Sequence, residues 1–206
     1  MSSRTQPTLT LLAALLWAIA QPALAQPKPA TATAQAQAQA QGQLVAAASE
    51  IGFTTRQMGV PVDGKFGKFT AQVSLDPKQP GSGSVAFTID TASARFGSAE
   101  IDAEVPKAIW LDSKRFPTAS FQSTAIKAAG PGRFEVTGKL SIKGQVRDVV
   151  VPVTVAQAGS TSTASGQFVI KRLDFKVGEA EWTDTSLLAN DVVVRFKLAL
   201  TGIGPL

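Results

Sequence analysis

Apolar and polar residues alternate through residues 134–155, FEVTGKLSIKGQVRDVVVPVTV, with the period of two that is typical of a β-strand. The apolar residues of each half share one strand face: Phe134, Val136, Leu140 and Ile142 in the first half, and Val149, Val151, Val153 and Val155 in the second. Between the halves lies Lys143-Gly144-Gln145. The pattern predicts an antiparallel hairpin with one apolar and one polar face.

The same alternation predicts eight strands along the chain. They are residues 44–53, 65–75, a strand through Val85, Phe87 and Ile89, then 119–127, 134–143, 146–155, 164–172 and 191–201. The first two are separated by a predicted connection that contains Gly59, Pro61 and Gly64.

Residues 98–111 break this period, because Ile101, Val105 and Ile109 recur at every fourth position. This spacing predicts one short helix, with Ser98 as a candidate N-cap. Pro106 is expected to end or kink its regular part, since proline removes a helical hydrogen bond.

Eight half-apolar strands with one inserted helix are typical of an all-β sandwich or barrel. An eight-stranded antiparallel barrel is favoured because closure removes exposed strand edges. The pattern alone does not decide between sandwich and barrel, nor between a filled interior and one that holds a ligand.

The candidate ligand-binding residues are the side chains that face the inside of such a barrel. They are Phe69, Val73, Phe87, Ile89, Phe121, Phe134, Val136, Leu140, Val149, Val151, Val153, Phe168, Ile170, Arg172, Val194, Phe196 and Leu198. Residue patterning leaves two readings of this face open, a packed core and the wall of a cavity.

Arg172 is the polar member of this set, and it shares a strand parity with Phe168 and Ile170. A buried guanidinium needs partners. One hypothesis pairs it with Asp174, with another internal acid, or with solvent at the rim. The other brings it to a polar ligand head group, such as a diphosphate or a quinone oxygen.

The N-terminal residues 1–25 resemble a secretory signal peptide, with Arg4, a run of about twelve apolar residues and Ala23-Leu24-Ala25 at the cleavage site. We therefore expect an exported protein, periplasmic or secreted. Residues 26–43, QPKPATATAQAQAQAQGQ, have the composition of a flexible linker. Residues 44–206 are then one domain.

The composition limits the possible chemistry, because the chain has no histidine and no cysteine. The usual general base, thiol nucleophile and transition-metal ligands are therefore missing, so we expect a protein that is not an enzyme. The net charge of +5 falls to +4 without Arg4 and is not clustered, which argues against nucleic-acid binding. A mildly basic surface is still compatible with transient membrane contact.

Two acidic groups are candidates for further chemistry. Asp102 and Glu104 are two residues apart on the predicted helix and point in different directions. Glu179, Glu181 and Asp184 have oxygen ligands suited to calcium, but they lack the spacing of an EF-hand loop. We expect solvated carboxylates at both places and no metal site.

Five motifs in order resemble those of the YceI-like family. They are residues 64–69 (GKFGKF), 89–93 (IDTAS), 115–121 (RFPTASF), 138–144 (GKLSIKG) and 171–175 (KRLDF), and the similarity extends over most of residues 44–202. The resemblance implies a lipocalin-like barrel that holds a polyisoprenoid lipid. It also implies a membrane cytochrome of the b561 type as a candidate partner, because some relatives are fused to one or associated with one.

The chain departs from the family at two places, since many relatives carry a histidine near the first hairpin and some carry one near Glu104. Residues 56–59 read Arg-Gln-Met-Gly, and the helix has no histidine near Glu104. Ligand contact through an imidazole is thus excluded.

The expected function is a binding protein that holds a long isoprenoid lipid, an isoprenoid quinone or a polyprenyl phosphate, for transport, storage or sequestration. No cofactor is expected beyond that lipid as ligand. The alternative is a ligand-free barrel with a filled core that serves as an interaction module. An enzyme acting on an apolar substrate ranks last.

Overall fold

The domain consists of β-strands, one short α-helix and several 3₁₀ turns. A computed structural model describes residues 41–206, and the predicted signal peptide and most of the predicted linker lie outside them. Within this part of the chain the strands are β1 Gln41–Leu44, β2 Glu50–Gln57, β3 Val60–Phe66, β4 Phe69–Ser74, β5 Ser84–Asp90, β6 Ala94–Arg95, β7 Thr118–Gly130, β8 Arg133–Ile142, β9 Gln145–Ala158, β10 Thr161–Lys171 and β11 Asp191–Thr201. The α-helix is α1, Ala99–Glu104, and short 3₁₀ turns span Ala46–Ala48, Pro80–Ser82, Thr91–Ser93, Arg172–Phe175 and Ala180–Thr183.

Eight of these strands close into an antiparallel barrel. Their order around the barrel is β1, β4, β5, β7, β8, β9, β10 and β11, and β11 pairs with β1 to complete the ring. β2 continues β1 along β11, and β3 and β6 extend the sheet from there. The predicted all-β eight-stranded barrel with one short helix is confirmed.

The first predicted strand, 44–53, is broken into β1 and β2 by the 3₁₀ turn at Ala46–Ala48. The hydroxyl of Ser49 fastens this break, because it donates to the Val45 carbonyl (2.8 Å) and accepts from the Ala199 amide (2.9 Å). Residues 41–43, assigned to the linker by composition, instead begin β1 and pair with β4.

The predicted connection between the first two strands is also wrong, because Pro61 and Gly64 lie inside β3. The connection is the two-residue turn Met58-Gly59, and Gln57 pairs with Val60 across it. Among the described residues, the second edge of β3 is paired only at Lys65 and Phe66, so most of that edge has no ladder for a proline to interrupt. Gly64 admits the Phe53 ring, since a Cβ there would lie 2.3 Å from Phe53 Cζ.

The helix is shorter than the predicted 98–111. It ends at Glu104, and Pro106 follows too closely for the helical ladder to continue. The Ser98 side chain makes no capping bond. The Asp102 carboxylate accepts from the Phe96 amide (2.6 Å) and fixes the helix start instead.

The side chains that point into the barrel form one apolar interior. Its buried apolar residues include Val73, Leu75, Ile126, Phe134, Val155, Ala164, Leu198, Leu200 and Ile203. One end of the barrel carries the β8–β9 turn, the Met58-Gly59 turn, α1 and the long segment between β10 and β11.

Candidate functional site

A cavity of about 720 Å³ occupies the interior of the barrel. Its volume lies within the range of roughly 300 to 1,000 Å³ that is usual for small-ligand sites. Of the seventeen residues proposed from sequence, fifteen line it: Val73, Phe87, Ile89, Phe121, Phe134, Val136, Leu140, Val151, Val153, Phe168, Ile170, Arg172, Val194, Phe196 and Leu198.

The other two, Phe69 and Val149, pack against the core without lining the cavity. Phe69 stacks on Phe87 with ring centroids 5.7 Å apart. Val149 lies opposite Gly138 on β8. Strand parity therefore placed both on the inner side, where they pack beside the cavity wall rather than in it.

Sequence reasoning missed the side chains that cover the cavity from its open end. They come from two segments, 96–117 and 172–190, which we call the cap. Its cavity-lining apolar residues are Phe96, Ile101, Val105, Ile109, Trp110, Leu111, Phe175, Val177, Trp182 and Leu188. The signal available in the sequence was the pair of tryptophans, Trp110 in the predicted helix and Trp182 in an acidic loop.

The two cap segments are joined directly. The Trp110 and Trp182 rings contact each other with centroids 5.2 Å apart. The amide of Gly178 donates to the Ile109 carbonyl (2.9 Å). Gly178 has φ +73°, and a Cβ there would lie 2.9 Å from the Trp110 ring, so glycine permits this close approach.

Lys143, in the β8–β9 turn, fastens the cap to the barrel. It is buried, and its Nζ donates to the Lys176 carbonyl (2.6 Å) and to Glu179 Oε2 (3.1 Å). Glu179, one of the three acids considered as calcium ligands, is therefore an ion-pair partner of Lys143.

Asp184 stabilises the cap loop in another way. Its carboxylate accepts from the Ser186 hydroxyl (2.6 Å) and the Ser186 amide (2.8 Å), and these bonds lower its pKa from the ordinary value. Within residues 41–206, no three acidic side chains converge on a point where they could hold a metal ion.

Arg172 lies at the junction of barrel and cap, with only 3% of its surface exposed. Its partners are backbone carbonyls of the cap. Nε donates to Ala189 (2.9 Å), Nη1 to Val177 (3.0 Å) and Gly178 (2.9 Å), and Nη2 to Leu188 (2.7 Å) and Trp182.

These five bonds use all five N–H donors of the guanidinium. The predicted pairing with Asp174 is absent from them, and no donor remains for a ligand. Burial lowers the pKa of Arg172 from its ordinary value, but a guanidinium stays charged in proteins. Its position supports a role in holding the cap.

The charged side chains that line the cavity all lie at its cap end. Apart from Arg172 they are three exposed glutamates, Glu100, Glu104 and Glu181, at the cap end. Glu104 also pairs with Lys107. Asp102, the neighbour of Glu104, instead accepts from the Phe96 amide, so these two acids do not act together.

The cavity also contains a hydroxyl without a partner. Thr55 lines it, and Thr55 Oγ1 is buried with no hydrogen-bond partner among residues 41–206. The rest of the lining is largely apolar, which suits an apolar molecule with a small polar head.

No helix in the part of the chain that the structure describes is both long and apolar enough to cross a lipid bilayer.

A known protein family and several solved structures resemble this chain. A family model described as the YceI-like domain matches residues 43–200. The crystal structure of Burkholderia cenocepacia BcnA has a TM-score of 0.74 at 44% identity, and the match covers 76% of this chain and 99% of that one. A polyisoprenoid binding domain from Saccharophagus degradans has a TM-score of 0.62 and covers 79% of this chain and 98% of that one. Its identity of 15% shows only the fold.

A curated relative, a UPF0312 protein of Vibrio cholerae, is 32% identical over 114 residues. The match covers 55% of this chain and 60% of the relative. The chain thus spans about 60% of the length of this curated relative.

Proposed function

The chain belongs to the YceI-like family, and from that premise we propose that it is a non-catalytic carrier of a long isoprenoid lipid held in the barrel cavity. The observation that carries the proposal is a 720 Å³ interior lined by apolar strands and partly covered at one end by the largely apolar cap. The structural neighbour described as a polyisoprenoid binding domain supports the same class of ligand.

Burial of the tail supplies enough free energy for binding without a catalytic group. Transfer of a methylene from water is worth about 0.8 kcal/mol, so a five-carbon isoprene unit gains about 3 to 4 kcal/mol before ordering costs. Two or three buried units are therefore sufficient to hold a lipid that is poorly soluble in water.

The charges favour a neutral head group, a quinone, over a prenyl phosphate. Three glutamates line the open end of the cavity, and each would repel a phosphate. Arg172 has no N–H left to donate to an anion. The unpartnered Thr55 hydroxyl is a donor suited to a quinone oxygen.

The site of action belongs to the proposal as well. The signal-like residues 1–25 support export to the periplasm or beyond. A b561-type cytochrome as partner remains a prediction, and so does the absence of catalysis.

A matched pair of substitutions on β11 tests the cavity. Val194 faces the cavity, whereas Val193 has the opposite strand parity and is absent from the cavity wall. We expect Val194→Trp to obstruct part of the cavity and lower the affinity for a short-chain ubiquinone about tenfold or more, and Val193→Trp to bind like the wild type. Native mass spectrometry of the purified proteins with added quinone measures both.

The same titration with farnesyl diphosphate tests the head group. We expect farnesyl diphosphate to bind more weakly than the quinone. Equal binding of quinone by the two tryptophan variants, or no binding by the wild type, contradicts the proposal. The second result favours the ligand-free interaction module.

A further inference from the structure

In the Met58-Gly59 turn, a methionine has both an unfavourable backbone conformation and an exposed apolar side chain. Both residues have positive φ, +47° for Met58 and +81° for Gly59, as in the type I′ turns that favour asparagine or glycine. Met58 is also 69% exposed. Asparagine would suit this backbone better and would expose no apolar side chain, so the fold does not explain methionine here.

Two further exposed apolar residues lie beside this turn. Val60, across the turn, is 63% exposed, and Leu187 of the cap is 40% exposed. The Met58 amide donates to the Leu187 carbonyl (2.8 Å), which holds the turn and the cap together. We call Met58, Val60 and Leu187 the tip patch.

The tip patch is continuous with the wall of the cavity. Gln57 and Leu188, the residues next to Met58 and Leu187, form a β-bridge and both line the cavity. The exposed Ile101 of α1 lines the same end of the cavity. The tip patch thus adjoins the cap end of the cavity wall through Gln57, which is polar, and Leu188, which is apolar.

We infer that the tip patch docks on a lipid bilayer, so that the ligand passes between bilayer and cavity without crossing water. This inference rests on the proposed function, because an isoprenoid lipid that fits the cavity is stored in a bilayer. Exposed apolar side chains at a rigid turn insert into the boundary between head groups and acyl chains.

Charge plays a minor part in this docking. Arg56, whose Nη1 donates to the Gly59 carbonyl (3.1 Å), is the exposed cation at the turn, and the glutamates of the cavity mouth oppose it. Binding is therefore expected on vesicles of neutral phosphatidylcholine and should resist salt, which screens charges but leaves apolar insertion intact.

The test removes the apolar side chains and keeps the fold. Met58→Asn suits the positive φ, and Val60→Thr keeps a β-branched residue in β3. The control is Val150→Thr with Val169→Thr, since these valines on the barrel wall are 52% and 54% exposed. Flotation with phosphatidylcholine vesicles measures docking, and short-chain ubiquinone is supplied either from those vesicles or from detergent micelles.

For the Met58/Val60 variant we expect at least tenfold less vesicle binding and slower uptake of quinone from vesicles, with uptake from micelles unchanged. The control should match the wild type in all three measurements. The inference is overturned if the wild type does not bind vesicles, if both double variants lose binding equally, or if the Met58/Val60 variant changes only self-association. Vesicle binding without quinone uptake from either source overturns the proposed function and leaves the docking surface supported.

Discussion

The sequence predicts where Arg172 lies but not what it contacts. The sequence predicts a guanidinium near the barrel interior, and the structure places it there. Its partners are five carbonyls spread over residues 177–189, and no sequence pattern distinguishes these carbonyls from others. A cation satisfied by backbone oxygens holds a loop in one conformation and leaves no donor for a ligand.

Replacing Arg172 should destabilise the fold and loosen the cap. Arg172→Leu leaves five carbonyls without a donor, and we expect the free energy of unfolding to fall by about 3 kcal/mol or more. Arg172→Lys retains only three donors and should recover part of the loss. Urea denaturation measures both variants.

Arg133, an exposed arginine at the start of β8, is the matched control for this experiment. Arg133→Leu should change the free energy of unfolding by less than about 0.5 kcal/mol. An Arg172→Leu protein as stable as the control would show that the carbonyl contacts do not hold the cap.

Among the strands, β9 and β10 are unusual because their pairing stops midway. The ladder runs from Thr161–Ala158 to Ser165–Thr154 and then ends, although both strands continue toward the cap. The Val155 amide donates to Gly132 on the β8 side, so the even-numbered amides of β9 point toward β10. Pro152 is even-numbered and has no N–H, so it removes a ladder bond at the point where the strands part.

Hydrogen exchange should detect this seam. The amides of Val146, Asp148, Val150, Gln167 and Val169 have the parity that points into the unpaired part of the β9–β10 seam. They should exchange much faster than those of Thr154, Ala156, Thr163 and Ser165, which lie in the paired part. Equal protection on both sides of Pro152, measured by NMR, would mean that the ladder continues in solution.

On the scale of the whole molecule, one closed sheet encloses one apolar interior. Buried core residues, among them Phe134, Leu198 and Leu200, also line the cavity. The barrel is held by backbone ladders between its own strands, to which a ligand in the cavity adds apolar contacts. Loss of ligand should therefore lower stability without unfolding the barrel.

Bound quinone should raise the thermal unfolding temperature. A ligand at one hundred times its Kd stabilises the folded state by about 2.7 kcal/mol. For a protein of this size that corresponds to a rise of about 5 to 10 °C. Differential scanning calorimetry with and without short-chain ubiquinone checks this.

The Val194→Trp protein serves as the control, because its obstructed cavity should reduce the shift. A wild-type unfolding temperature that does not move at a concentration where binding is measured would mean that the ligand lies elsewhere.

The alternation of residues by itself determined most of the strands and most of the side chains that face the interior, because the direction of a side chain from a strand is a local property with a period of two. Phe168, Val194 and Phe196 could be placed inside in this way. Only the tertiary structure decided that the sheet closes into a barrel around a cavity, that Trp110 meets Trp182, and that Pro152 opens a seam. These features depend on contacts between residues far apart in the chain and on loops without a period, so the local pattern carries no information about them.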